Sequence, residues 1–364
     1  MTVASKAPRP SSERQTPRQP KLRLAPGSTD LHRVMEEGVI MTPPRHARPV
    51  GINQDGSVNV ELFEPAPAPS SAGVWLRAAR AYSLTATAAP CIAVALYGIA
   101  RGWAVAPVVA LLALVGVVLL QVAVNLLNDV EDHRRLIDLP GGMGGAGVIQ
   151  AGWLSSRQVH RASLALFAFA LLLGIPALLR APLPMLVIVG VAALGAFGYS
   201  GRPFSFKYRA LGDVIVVLLC GPLLTAGFCH AAFGVIDEGV VGLGVTFGLA
   251  ASAILHANNL QDRQADRARG AITLAGVLPD SVSRSLLPVF VLGAFVAWVA
   301  TGLLLQLHIV VVMIPLMALV PAVRVVRTLI QEPTAPLLRV MAAQAHLVLG
   351  AALAVAFLVD IFLF

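Results

Sequence analysis

The chain has 364 residues, is 57% hydrophobic and only 13% charged, and has a mean hydropathy of +0.78. A water-soluble domain needs more charge to cover its surface, so this composition predicts an integral membrane protein with a soluble tail. The formal charge of +8 does not mark a nucleic-acid partner, because the basic residues fall mainly in the tail and in loops on one side of the predicted membrane.

Residues 1–72 are rich in Pro, Ser, Arg and Lys and poor in aromatics. Such a segment buries too little apolar surface to offset its ordering entropy, and it is predicted to be a disordered, basic N-terminal tail that is dispensable for chemistry. Ser57 to Phe63 alternates like a short strand, but the signal is isolated. No secretory signal peptide is predicted, because the first apolar run starts near residue 80. Residues 73–364 are predicted to form one all-α membrane domain.

A spanning helix needs about 20 mostly apolar residues. By that rule nine spans are predicted, at 81–100, 104–127, 159–179, 183–200, 211–232, 240–257, 285–305, 308–327 and 340–363. With the tail inside, the connectors on the cytoplasmic face carry fourteen Lys or Arg residues, while the opposite face holds Arg101 and Arg180. That bias follows the positive-inside rule and predicts an inner-membrane protein with its N-terminus in the cytoplasm. Cys91, Cys220 and Cys229 lie within apolar segments without metal-ligand spacing and read as small buried residues.

Two acidic clusters interrupt this apolar chain. Asn125-x-x-x-Asp129-x-x-Asp132 closes the second span, and Asn258-Asn259-x-x-Asp262-x-x-x-Asp266 closes the sixth. On a helix these spacings put two carboxylates and an amide on one face. A carboxylate at the edge of a bilayer is costly and points to an ion or substrate site. Paired hard oxygens suit Mg²⁺, which is usually held by a few carboxylates plus substrate phosphates. The topology places both clusters on the same membrane face. The shared Asn-x-x-x-Asp spacing also hints at an internal repeat.

The connectors that carry the acids also carry Lys207, Arg209, Arg263 and Arg267, which can neutralise a departing diphosphate. The run Gly141-Gly142-Met143-Gly144-Gly145 can bring backbone N–H groups close to an anion. A diphosphate site in a membrane predicts a lipid-like substrate, and an isoprenyl diphosphate meets both requirements. Asp280 and Asp360 read as helix-end or solvated acids, and Glu131, off the Asp face, as solvated. His230 and His256 read as packed or hydrogen-bonded rather than metal-bound.

These segments resemble the UbiA superfamily of intramembrane aromatic prenyltransferases. The first family motif appears as Asn128-Asp129-Val130-Glu131-Asp132, with Asp138 where the menaquinone-pathway branch has an acid in N-D-x-x-D-x-x-x-G-x-D. The glycine of that pattern is Leu136 here. The segment Gly144 to Ser155 resembles G-G-S-R-V-I-x-x-G-x-L-S, and Tyr199 to Asp213 resembles the connector before span five. Asn258 through Ala275 resembles N-N-x-R-D-x-x-x-D-x-x-x-G-K-x-T-L-A. The resemblance covers the membrane part from about Trp75 and implies a helical bundle with a cytoplasm-facing cavity.

It also implies Mg²⁺-dependent transfer of a polyprenyl group to an aromatic acceptor, with 1,4-dihydroxy-2-naphthoate as the acceptor of the menaquinone branch. Asp129, Asp132, Asp262 and Asp266 would hold metal, with Asn125 and Asn258 in support. Lys207, Tyr208, Arg209 and Arg263 would hold the diphosphate, and Asp138 would orient the acceptor or take a proton. Three departures remove positive charge: Gly147, Gln261 and Ala271 stand where the patterns have Arg, Arg and Lys. They leave open a transferase for a different acceptor, or a non-catalytic quinone-binding or transport homologue.

Overall fold

The computed structural model describes residues 21–140, 145–332, 335 and 337–364. Its extramembrane part begins with β1 (Lys21–Leu24), α1 (Thr29–Glu37), β2 (Val39–Ile40), β3 (Arg45–Ile52) and β4 (Val58–Leu62). The strands form one antiparallel sheet in the order β1-β4-β3-β2. Val34, Ile40, Ala47, Val58 and Val60 are its buried core. Ser28 caps α1 through a side chain that accepts from Leu31 N–H, and Gly38 closes it in the left-handed conformation.

This sheet corrects the expectation of a disordered tail over residues 21–62. Residues 1–20 lie outside the described residues. The alternation at Ser57 to Phe63 was a true strand signal, since Val58 and Val60 face the small core. The module adds a sheet to an otherwise helical protein.

The membrane part follows α2 (Ser71–Ala78). Its helices are α3 (Thr85–Ala100), α4 (Pro107–Arg134), α5 (Ser156–Leu173), α6 (Ile175–Arg180), α7 (Pro182–Ser200), α8 (Gly212–Leu219) and α9 (Pro222–Phe233). Then come α10 (Glu238–Ala268), α11 (Leu274–Val277), α12 (Asp280–Leu304), α13 (Ile309–Met313), α14 (Leu319–Gln331) and α15 (Leu338–Leu363). They make nine candidate spans among the described residues, as expected. α4 and α10 run further than hydropathy alone suggests, so the acidic clusters sit on their last turns.

Local sequence explains several ends. Pro107 starts α4 at a position where a missing N–H costs nothing. Ser155 and Gln158 form a reciprocal capping box at the start of α5. Gly221 divides α8 from α9 where the chain presses on α10, and a Cβ there would meet Gly244 O at 2.5 Å. Close backbone approach through small residues is a common way to join helices in a membrane. The main core gathers α3, α9, α10, α12 and α15 around Trp298, Phe247 and Phe357. That packing brings the ends of α4 and α10 to one end of the bundle.

Candidate active site

Asp129 and Asp132 are each 3% exposed on the last turns of α4. Arg80, just before the first span, pairs with Asp129 Oδ1, and Ala146 N–H donates to Asp129 Oδ2 at 3.1 Å. Lys207 Nζ lies 2.6 Å from Asp132 Oδ2, while Tyr208 Oη donates to Asp132 Oδ1 at 2.7 Å. Asn128 Nδ2 donates to Asp132 Oδ2 at 3.0 Å, and its Oδ1 accepts from Lys207 at 2.8 Å. Burial and the neighbouring Asp132 raise the Tyr208 pKa, keeping its phenol protonated and able to donate.

The second motif repeats this plan on α10. Asn258 Nδ2 donates to Asp262 Oδ2 at 3.3 Å, and its Oδ1 accepts from Arg339 Nη1 at 2.8 Å. The two motifs meet through their connectors. Arg269 donates to Ile137 O, and Ala210 N–H donates to Ile272 O at 2.8 Å. Ile137, Tyr208 and Ala271 form one buried cluster. Asp266 is pushed up to about 7, first by burial and then by Asp262 and Asp132, against the opposing effect of Lys207. Asp138 is likewise pushed up to about 7 by burial and by Asp132.

A cavity of about 320 Å³ opens at this junction. Arg80, Asn128, Lys207, Asn258 and Arg339 line its polar end. Gly116, Ala177, Met185, Gly227 and Ala231 line its apolar end. From Asn128 to Gly116 along α4 is about 18 Å at 1.5 Å per residue. Small side chains thus open a long greasy channel behind a polar mouth.

The fit to Mg²⁺ can be judged from the donor set. Among the described residues no three carboxylate, imidazole or thiol groups stand ready-made around one point. A complete protein cage is not required, because Mg²⁺ keeps waters and takes substrate phosphates. Asp262, Asp266 and Asp138 have no ion-pair partner among the described residues. Burial and neighbouring carboxylates disfavour the charged forms of Asp138 and Asp266, a cost that a divalent cation relieves, so the residues present fit the ion.

The sequence-predicted residues divide cleanly. Asp129, Asp132, Asp138, Asp262, Asp266, Lys207 and Tyr208 come together. Asn258 supports Asp262, and Asn125 lines the same cavity while tying α4 to the turn before α3, donating to Ala79 O and Ser83 Oγ at 2.9 Å each. Arg209 and Arg263 are corrections. Arg209 is exposed and donates to Pro203 O at 3.1 Å, and Arg263 turns to Asp280 and to Leu278 O. Arg263 follows Asp262 directly, so it projects about 100° away from the acid face.

Glu131 is another correction, being 8% exposed and paired with Arg134 and Arg135 rather than solvated. His256 is hydrogen-bonded as expected, to Asp213 Oδ1 and Ser283 O at 2.8 Å each. Residues 141–144 of the glycine run lie outside the described residues.

Sequence reasoning missed Arg80 and Arg339, and it gave Asn128 no role although that residue opens the first motif. Arg80 precedes span one and Arg339 opens span nine, so alternation of the spans already put both on the face of the acids. At the departures, Gln261 donates to Ala335 O, and Ala271 is buried. A Cβ at Gly147 would lie 3.7 Å from Arg77 Nη2, and Arg77 Nε donates to Ala146 O at 2.9 Å. Positive charge reaches this loop from before the first span.

Comparison with known proteins agrees with this geometry. The UbiA prenyltransferase family pattern matches residues 88–342. The 1,4-dihydroxy-2-naphthoate octaprenyltransferase of Mycobacterium tuberculosis is 32% identical over 217 residues, 58% of this chain and 72% of that protein. The Escherichia coli protein of the same name is 29% identical over 174 residues, 46% of this chain and 56% of that protein. The chain thus spans little more than half the length of that relative. A solved UbiA homologue from Archaeoglobus fulgidus bound to GPP and Mg²⁺ has a TM-score of 0.57 at 13% identity, covering 79% of this chain and 99% of that one. The apo UbiA homologue of Aeropyrum pernix gives 0.59 at 15% identity, covering 78% and 98%. At such identities the two structures speak for the fold alone. With the family pattern running from within the first span into the ninth, the chain belongs to the UbiA prenyltransferase family.

Proposed function

We propose that the chain transfers a polyprenyl group from an isoprenyl diphosphate to an aromatic acceptor, 1,4-dihydroxy-2-naphthoate, in a Mg²⁺-dependent reaction. One observation carries this reading: the asparagines of two acidic motifs from distant parts of the sequence, Asn128 and Asn258, line the polar end of an otherwise apolar cavity, and Asp132 and Lys207 of the first motif's surroundings act on Asp266 of the second. The prenyl chain would lie along the small residues of α4, α7 and α9. Its diphosphate would lie against Arg80, Lys207 and Arg339, with the ion held by Asp129, Asp132, Asp262 and Asp266. Mg²⁺, when bound, neutralises negative charge that develops on the leaving diphosphate.

The C1–O bond of the donor breaks, and its electron pair leaves with the diphosphate. The electron-rich ring carbon attacks the allylic cation, and the ring regains aromaticity by losing CO₂ or a proton. Asp138, which burial and Asp132 push up to about 7, would take that proton. The bias of Lys and Arg toward one face supports a cytoplasmic mouth and an inner-membrane location.

The test is purified protein in lipid vesicles, given labelled isoprenyl diphosphates and a panel of aromatic acids. A labelled lipid product with 1,4-dihydroxy-2-naphthoate, lost on chelation and restored by Mg²⁺, is expected. Product with another acid alone would move the acceptor assignment. Quinone binding without transfer to any acid would establish the non-catalytic reading instead.

A further inference from the structure

Helix α4 ends in a Schellman turn immediately after the first motif. Leu136 N–H donates to His133 O at 3.0 Å, and Ile137 N–H donates to Asp132 O at 2.9 Å. The residue that must turn left-handed is Leu136, at φ 59°. Glycine is usual there, because a Cβ disfavours that conformation. The Leu136 side chain packs on the core of the sheet module, beside Val34, Ile40, Ala47, Val58 and Val60. A leucine holds a glycine-like backbone while filling a hydrophobic seat on another unit.

Polar contacts grip the chain on both sides of this seat. The Glu36 carboxylate takes Arg134 Nε and Nη2 at 3.0 Å each, a two-pronged pair, and His133 Nε2 lies 3.1 Å from Met35 O. Further along, Arg48 Nη1 donates to Gln150 O at 2.9 Å, and Gln150 Nε2 donates to Asp138 O at 3.2 Å. Glu37 pairs with Arg157 at 2.8 Å, and Trp153 Nε1 donates to Ala66 O at 2.9 Å. On the inner side, Arg135 lies 4.1 Å over the Tyr208 ring, and Tyr208 donates to Asp132. The turn seated by the module therefore joins Asp132 to Asp138.

We infer that the sheet module is a positioning clamp. By seating Leu136 it holds the left-handed turn between Asp132 and Asp138, and so fixes the acids that face an anionic, diphosphate-bearing substrate. The substrate class rests on the transferase reading, whereas the clamp itself does not. This places residues 21–66 in service of the site, against the expectation that they are dispensable.

Hydrogen exchange on the full-length protein in nanodiscs separates a clamp from a local turn. Leu136→Gly relieves the backbone but empties the seat. A purely local turn would then be protected as well as before, or better. The clamp predicts the opposite, with exchange at residues 136, 137 and 146 rising about tenfold or more. Leu136→Met, which refills the seat, should stay near wild type. Glu36→Gln, which weakens the two-pronged pair and leaves Leu136 in place, should raise exchange at Ile137 several-fold or more.

Turnover with Mg²⁺, labelled isoprenyl diphosphate and 1,4-dihydroxy-2-naphthoate should fall roughly 10- to 100-fold in Leu136→Gly and recover in Leu136→Met. Wild-type exchange in Leu136→Gly would overturn the clamp. Faster exchange in that variant, with wild-type protein that transfers nothing, would uphold the clamp and remove the transferase reading. Should Leu136→Gly fail to fold, Glu36→Gln decides, faster exchange at Ile137 upholding the clamp and unchanged exchange overturning it.

Discussion

At the end of α4, Asn128 donates to Asp132 and takes Lys207 on its carbonyl; at the end of α10, Asn258 donates to Asp262 and takes Arg339 on its carbonyl. The local plan is the same, yet the surroundings differ. In the first half-site Lys207 also reaches Asp132 itself, Arg80 covers Asp129, and the sheet module closes over the turn beyond. In the second, Asp262 and Asp266 carry no ion pair among the described residues, and Asp266 is pushed up to about 7 by burial and like charge. One half holds its charge already compensated, while the other holds charge that an incoming cation would satisfy. Two helices with one motif can thus supply a fixed wall and a receptive wall to the same ligand.

The largest effect expected from this contrast is in stability. Asp129→Asn or Asp132→Asn should abolish transfer and also cost about 3–5 kcal/mol, because Arg80 or Lys207 is left largely buried without its counter-charge. Asp262→Asn or Asp266→Asn should abolish transfer with little loss of stability, since no ion pair is broken. Denaturation and transfer assays on the four purified variants check this. Equal destabilisation in both halves would break the comparison.

A smaller effect concerns pH. Burial and neighbouring carboxylates push Asp138 and Asp266 up to about 7 in the folded protein, above the usual carboxylate range. Between about pH 4 and 7 the folded state then binds more protons than the unfolded state, so metal-free stability should fall as pH rises. Asp266→Asn should flatten that slope, and Mg²⁺ should stabilise most at or above pH 7. Thermal melts from pH 5 to 8 with and without Mg²⁺ measure both. A slope unaltered by Asp266→Asn would remove the charge imbalance from the second half-site.

The smallest effect belongs to the cations that face elsewhere. Arg209→Ala and Arg263→Ala should each change kcat/KM by less than about threefold, since one is exposed and the other is engaged with Asp280 and Leu278 O. A hundredfold loss in either would show that its side chain swings to the substrate.

The sequence made the spans readable because each is a long apolar run, and the acids readable because their spacing selects one helix face. It misassigned Arg263 because closeness in sequence was weighed above helix direction. Arg80 and Arg339 escaped notice because they lie at the starts of spans far from the motifs, although alternation of spans puts them on the same face. The sheet module was hidden for a different reason. Its core is five small or medium side chains, and Leu136, which packs against that core, belongs to the connector after α4. Composition over a window of the tail cannot report a core completed from elsewhere in the chain. Leu136 itself departs from a glycine in the resembled pattern, and only its φ of 59° and its seat in the module give that change a meaning.

Whether the two motifs form one site is tested most directly by titrating Mg²⁺ and inorganic pyrophosphate into the purified protein in nanodiscs. Wild-type protein should bind pyrophosphate only when Mg²⁺ is present. The paired variants Asp129→Asn with Asp132→Asn, and Asp262→Asn with Asp266→Asn, should each lose that binding. Wild-type binding retained in either pair would contradict a shared site, and the acidic motif left intact would then be sufficient by itself.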